Sequence, residues 1–309
     1  MAINTIQFAQ LLQTKLDEQV IAQSTTGWME ANAGQVKYSG GKEIKVPSIS
    51  TSGLADYDRD KGFVQGSVNL SYETLTMTQD RGRTFTLDAM DVDESGFLAN
   101  ATAVIGNFQR LKVIPEIDAY RYSKICALAK ENGRINSAAY TPAKSTMLDA
   151  LRADIEAVQD VVGEDVPLVI SMSIPAANVL DTVSDIGKSI SVIDFKQGSA
   201  SLKLRALDGI PIRRVPSARM KSAYVFNDGT TSGQEAGGFI PAGDAVPINW
   251  IISARTTPIA VSKTNKIRIF QPDQNIDMDA WKIDYRKYHE LWMLKNQMNS
   301  LFVNVGAST

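Results

Sequence analysis

Apolar residues recur along this chain with two periods, and the switches between them mark its elements. Ile6, Leu11, Leu12, Leu16 and Val20 fit one side of a short amphipathic helix in the stretch that runs to about Trp28. After a loop over 34–41, Lys42-Glu43-Ile44-Lys45-Val46-Pro47-Ser48-Ile49 alternates apolar with polar, the period of a strand. Pro47 has no backbone donor and belongs on a sheet edge. Alternation returns at Val68, Leu70 and Tyr72, then changes phase to Leu75 and Met77, which predicts a bulge near Glu73-Thr74. Between the two runs, Asp56-Tyr57-Asp58-Arg59-Asp60-Lys61-Gly62 forms a charged, glycine-flanked tip. The pattern over 42–79 is a long hairpin poor in core-forming residues. A two-stranded ribbon is marginal alone, and the adjacent sequence offers it little to lie on. Asp80-Arg81-Gly82-Arg83 reads as punctuation before strand resumes at Thr84-Phe85-Thr86-Leu87.

Helical spacing takes over at Phe97, Ala101, Val104, Ile105, Phe108 and Leu111, and continues through Ile117, Tyr120, Ile125 and Leu128. Asp93 or Ser95 can cap the start and Asn132-Gly133 supplies the stop. Pro115 interrupts, and Glu116 and Asp118 suit the first turn of a restarted helix. About 35 residues at about 1.5 Å each make a rod of roughly 50 Å, so an elongated molecule is expected. A second helix carries Leu148, Leu151, Ile155, Val158 and Val162, with Thr146 and Asp149 placed like a capping box and Gly163 at its end. Pro167-Leu168-Val169-Ile170 is a buried strand, followed by a short helix over 175–183. Leu202 and Leu204 lead into the turn Asp208-Gly209, and Ile210 and Ile212 lead out. Tyr224 to Phe226 is a strand, and Gly229 to Gly243, with five glycines, is a surface loop. Strands follow at Ile248-Trp250-Ile252, Ile267-Ile269, Trp281-Ile283-Tyr285, Trp292-Leu294 and Phe302. The class is α+β without regular βαβ alternation.

Composition narrows the chemistry. The 309 residues suggest roughly two domains at about 150 residues each. With 32 basic and 34 acidic residues interspersed, the net charge is −2, which argues against a dedicated nucleic-acid reader. Lys263-Thr264-Asn265-Lys266-Ile267-Arg268, the most basic stretch, reads equally well as a charged strand edge. No run of about 18 apolar residues is present, and the N-terminus lacks a signal-peptide pattern. A single cysteine, Cys126, rules out internal disulfides and cysteine-built zinc sites, and a single histidine rules out two-histidine metal sites. Asp91-Val92-Asp93-Glu94-Ser95-Gly96 opens like a calcium loop, but Thr102 stands where the bidentate Glu is required. His289 has no nucleophile motif beside it and is read as structural, Cys126 as a core residue. Gly233-Gln234-Glu235-Ala236-Gly237-Gly238 matches neither phosphate-binding glycine loop. No cofactor is expected. What remains is architecture: an arm, a hairpin and a rod, whose natural partners are copies of the same chain.

Several segments carry a resemblance. Leu207-Asp208-Gly209-Ile210-Pro211-Ile212-Arg213-Arg214-Val215-Pro216-Ser217-Ala218-Arg219-Met220 resembles a stretch of tailed-phage major capsid proteins. Gln79-Asp80-Arg81-Gly82 with Asp88-Ala89-Met90-Asp91-Val92-Asp93-Glu94 is similar to that family's entry into its spine helix. Val113-Ile114-Pro115-Glu116-Ile117-Asp118-Ala119-Tyr120-Arg121 resembles the mid-helix motif. Arg286-Lys287-Tyr288-His289-Glu290-Leu291-Trp292 and Leu301-Phe302-Val303-Asn304 resemble the C-terminal strand pair, with Glu290 where Asp is usual.

The resemblance implies the Hong Kong 97 fold: an N-arm over 1–36, an extended E-loop over 42–80, and a peripheral P domain from 81–140 and 256–309. The spine helix would span about 95–131, and an axial A domain would be inserted at 141–255. It implies a structural protein of the virion that forms hexamers and pentamers, and then an icosahedral shell around double-stranded DNA contacted non-specifically. Assembly would take place in the host bacterial cytoplasm, with a portal at one vertex and no membrane. Some relatives carry a cleaved scaffolding segment; there is no room for one ahead of this hairpin, so a separate scaffolding protein is implied. Inter-subunit contacts are expected from Arg59, Lys61 and Phe63 at the tip, and from Arg81, Arg83, Arg219 and Trp28. Lys61 also stands where some relatives form an isopeptide crosslink, although a salt-bridging lysine fits its run of charges better. An encapsulin-like compartment shares the implied fold, and a soluble enzyme using His289 is the alternative of a different class.

Overall fold

Alternate burial on the two sides of one sheet organises the chain. The computed structural model describes residues 23–36, 41–60, 62–88, 104–183, 190–198, 200–275 and 278–307. The expected N-terminal helix, the calcium-like loop, the start of the long helix and Lys61 lie outside these residues. A 3-10 helix, Gly27–Gln35, precedes strands β1 (Glu43–Thr51), β2 (Val68–Thr76) and β3 (Gln79–Asp88). Helix α1 (Ile114–Glu131) and α2 (Met147–Val162) lead to β4 (Leu168–Ser173) and α3 (Ile174–Asp181). Next come β5 (Ile190–Gln197), β6 (Ala200–Leu207), β7 (Ile210–Val215), β8 (Tyr224–Phe226) and β9 (Phe239–Pro241). The chain closes with β10 (Ile248–Ala254), β11 (Ile259–Phe270), β12 (Ala280–Trp292) and β13 (Leu301–Val305).

Six strands pair in the order β13-β10-β4-β7-β6-β5, with β4 and β7 parallel and the other neighbours antiparallel. β4 and β10 are buried at every position because helices cover both faces. Val169, Ile251 and Val303 face α1, packing with Tyr122, Ile125, Cys126 and Ala129. Their neighbours Ile170, Trp250 and Ile252 face the other way, onto Met147, Leu151, Ile155 and Val158 of α2. The β6–β7 hairpin turns on Asp208 (φ 50) and Gly209 (φ 83), the left-handed pair that a two-residue turn demands. β11-β12-β3 form a second sheet, with β11 as its charged edge.

Several local expectations change. The long helix does not restart at Pro115. Helical residues run over 104–131, with a π-turn at Gln109–Val113 immediately before the proline. The wider turn accommodates a residue that has no amide donor and a bulky ring. It also shifts the phase, so Leu111 points to solvent and Gln109 is buried instead. Gly82 is not punctuation: β3 runs straight through it, and a Cβ there would meet the Tyr285 carbonyl oxygen at 2.8 Å. Thr146 makes no side-chain cap to α2, and its hydroxyl pairs with that of Tyr140 at 3.0 Å. The glycine-rich loop contains β9, paired to β8.

Candidate assembly surface

β1 and β2 pair without a break from Glu43↔Thr76 to Thr51↔Val68. There is no bulge at Glu73-Thr74, so the phase change in the sequence has another cause. In an antiparallel ladder, opposed residues share a face and successive residues alternate. Ile44 and Leu75 therefore occupy one face, and Pro47, Ile49, Leu70 and Tyr72 the opposite one. The apolar side of the ribbon changes over along its length.

The base face is buried in the chain's own core. Ile44 and Leu75 pack, with Met77, against Val36, Ile259, Val261 and Trp292. Trp292 Nε1 donates to the Thr76 carbonyl (3.2 Å), and the Tyr288 hydroxyl donates to the Met77 carbonyl (3.1 Å). Glu290 accepts from the Thr78 amide (2.9 Å) and hydroxyl (2.7 Å). The distal face has no such support: Ile49 is 67% exposed, Leu70 51% and Tyr72 63%. At the tip, Asp58 and Gly62 exchange backbone hydrogen bonds, and the rings of Tyr57 and Phe63 meet at 4.8 Å, with Phe63 90% exposed.

A buried polar cluster holds Ser24, Thr25 and Thr26 against α1. Asp118, fully buried in α1, accepts from the hydroxyls of Ser24 (2.6 Å), Thr25 (2.9 Å) and Thr26 (2.6 Å). The amides of Thr25 and Thr26 and the Arg219 guanidinium complete its shell at 3.0, 3.1 and 3.0 Å. Arg213 and Gln197 donate to the Ser24 carbonyl. Arg121 pairs with Glu30 at 2.7 Å. Burial opposes ionisation of Glu30, but Arg121 and Lys287 outweigh it and hold its pKa below the usual range. Sequence reasoning missed this cluster. Its signal was Ser24-Thr25-Thr26, three consecutive hydroxyls, and acid and base three apart at Asp118 and Arg121.

The expected contact residues divide. Trp28 is spent in the chain's own core, because the 3-10 helix lays it against α1 and the six-stranded sheet. Arg219 is held by Asp118. Arg81 ties β3 to α1 through Glu116 (2.7 Å) and to the β8–β9 loop through the Asn227 and Gly238 carbonyls. Arg59, Phe63 and Arg83 remain at the surface.

His289 is 3% exposed, against Tyr120 at 5.6 Å, and its Nδ1 has no hydrogen-bond partner among the described residues. Burial, then the charges of Arg121, Lys287 and Arg81, push its pKa well below 6.5. Burial likewise raises the Cys126 thiol to about 11. Among the described residues no cluster suits a metal ion, and no helix is long and apolar enough to cross a membrane.

No protein-family model matches the sequence, and no curated protein matches it. Solved structures do. The mature capsid of bacteriophage PhiM1 superposes with a TM-score of 0.59, covering 88% of this chain and 84% of its own at 12% identity. The capsid of Cyanophage P-SCSP1u gives 0.59 over 89% and 86%, at 11% identity. The capsid of Staphylococcus phage Andhra gives 0.54 over 87% and 81%, at 12% identity. The chain has a phage capsid fold. In the capsid fold of this chain, the exposed hairpin is an integral element of the architecture, anchored through its base.

Proposed function

We propose that this chain is the major capsid protein of a tailed double-stranded DNA phage, and that its activity is self-assembly. One observation carries the reading: a capsid-fold chain holds out a ribbon whose distal apolar face finds no partner at home. That ribbon is the E-loop over 42–80, and it lies across a neighbouring subunit. Residues 1–36 are the N-arm, rooted at Asp118. Residues 81–140 and 256–309 form the P domain around the spine helix, and 141–255 form the A domain. β13 joins the A-domain sheet at its β10 edge. Hexamers and pentamers tile an icosahedral shell in the virion. A separate scaffolding protein and a portal are the other assembly partners, and DNA touches the inner wall without sequence preference. Exposed ion pairs contribute about 0–1 kcal/mol each, so apolar burial by the arms and hairpins dominates the assembly energy.

Deleting residues 54–66 tests this reading. The hairpin base and both sheets are untouched, so the variant should fold and melt like the parent yet form no shells. Normal shells from it would refute the role of the loop.

A further inference from the structure

Alternation along β3 and β12 places Arg81, Arg83 and Phe85 on one face of the second sheet, opposite Lys287, Tyr285 and Ile283. This face, the long helix and the β8–β9 loop enclose a cavity of about 500 Å³, within the roughly 300–1,000 Å³ of small-molecule sites. Part of its lining is aromatic. The Phe108 ring meets those of Phe85 at 4.9 Å and Tyr285 at 5.7 Å, both edge to face, and Val113 and Ile117 continue the apolar surface along the helix.

The rest of the lining carries positive charge that the chain does not neutralise. The acids of the cavity are engaged: Glu116 with Arg81, Asp80 with Arg286, and Asp228 with the Thr231 hydroxyl and the amides of Thr230 and Thr231. Arg83 and Lys112 are exposed and have no carboxylate partner among the described residues. Arg83 is held in place before any ligand arrives. Its Nη2 donates to the Glu235 carbonyl (3.2 Å), and its Nη1 lies where a Cβ on Gly229 (φ 80) would approach to 3.0 Å, so glycine there leaves the guanidinium its seat. His289 also lines the cavity, and its Nδ1 is unpaired among the described residues. After burial itself, the charges of Arg121, Lys287 and Arg81 oppose protonation of this imidazole, which marks its surroundings as electropositive.

We infer that this cavity binds a small aromatic anion, whose ring lies against Phe85, Phe108 and Val113 and whose charged head is met by Arg83 and Lys112. An apolar body alone would leave the two cations unmatched, and a bare anion would leave the aromatic surface wet; a molecule with both parts satisfies both. The seated guanidinium adds charge-assisted hydrogen bonds at little ordering cost. The π-turn contributes by ending in the stretch that presents Lys112 and Val113 to the cavity. This site goes beyond the assembly role and does not depend on it.

The sole histidine is a built-in reporter, because a histidine-labelled chain gives one imidazole NMR signal and that imidazole lines the cavity. Full-length subunit, kept too dilute to assemble, is titrated with 2-naphthoate and with its neutral isostere 2-naphthamide. Naphthoate should move the signal saturably, and the amide should bind about tenfold more weakly, the loss expected when hydrogen bonds to a charged head are withdrawn. Arg83→Gln with Lys112→Gln should weaken naphthoate by about tenfold or more and leave the amide unchanged. A signal that millimolar naphthoate does not move, equal affinity for acid and amide, or an unaffected double variant would each overturn the proposal. Should the double variant melt below the parent, Lys112→Glu alone decides: naphthoate binding should weaken by about tenfold or more, and an unchanged affinity would overturn the site. None of these readouts involves particles, so a negative result leaves the capsid reading standing, and a failure to assemble leaves this site standing.

Discussion

Serine at both Ile49 and Leu70 separates what the hairpin does for its own subunit from what it does for a neighbour. Full burial of an isoleucine or leucine side chain is worth about 1.5–3 kcal/mol. With 67% of Ile49 and 51% of Leu70 still accessible, about 1–2 kcal/mol per residue is left for a partner to gain. The pair then contributes about 2–4 kcal/mol at each contact, a weakening of roughly 30- to 700-fold at about 1.4 kcal/mol per tenfold. Subunit stability should barely move, within about 0.5 kcal/mol, because neither side chain packs on its own core. Light scattering over a concentration series reads the onset of assembly, and thermal melts of the dilute subunit read stability. Ile44→Ala with Leu75→Ala is the mirror-image control. It removes the buried base face and should cost about 2–5 kcal/mol of folding stability for each of the two side chains. If the Ile49 and Leu70 variant assembles at the parental threshold, or if it loses several degrees in melting temperature, the division of the hairpin into two faces is wrong.

Three further outcomes follow from the fold. Asp118→Asn leaves the Arg219 guanidinium without its charge partner and weakens the hold on Ser24–Thr26; about 3 kcal/mol of stability should be lost in urea titration, with faster proteolysis near residue 24. His289 is neutral in the folded chain and becomes protonated on unfolding in acid, so its contribution is fully present above its unfolded pKa, about 6.5. That contribution should fall by up to ~1.4 kcal/mol per pH unit between about pH 6.5 and 5; His289→Gln should flatten this slope in melts of the dilute subunit. Gly82→Ala should destabilise by about 1–3 kcal/mol, because the new Cβ meets the Tyr285 carbonyl oxygen in a backbone that has little room to yield; a melt matching the parent would contradict this.

Much of the fold was legible in the chain, and the misreadings share a cause. The hairpin, the buried β4 run, the α2 stripe and the Asp208-Gly209 turn follow from local periodicity and turn chemistry, which the tertiary fold reinforces. The phase change after Tyr72 was visible too. Read locally it implies a bulge; only the anchoring of Ile44 and Leu75 reveals two faces with two destinations. Leu111 falls on the buried stripe only under a uniform 3.6-residue period, which the π-turn breaks. By its position after Pro115, Asp118 is an acid suited to a helix's first turn. Its partners lie more than 90 residues away, and no spacing rule brings Ser24 to it. Gly82 looked like a turn because the approach of β12 is not written in its neighbours. Trp28 looked available to a neighbouring subunit for the same reason.

The central claim is that this 33.7-kDa chain completes its packing only with copies of itself. Sedimentation velocity of the full-length chain over a rising concentration series tests that most directly. The account predicts that capsomer-sized rings and closed shells replace the monomer as concentration rises. A single species at the mass of one chain, persisting at the highest concentrations, would contradict it.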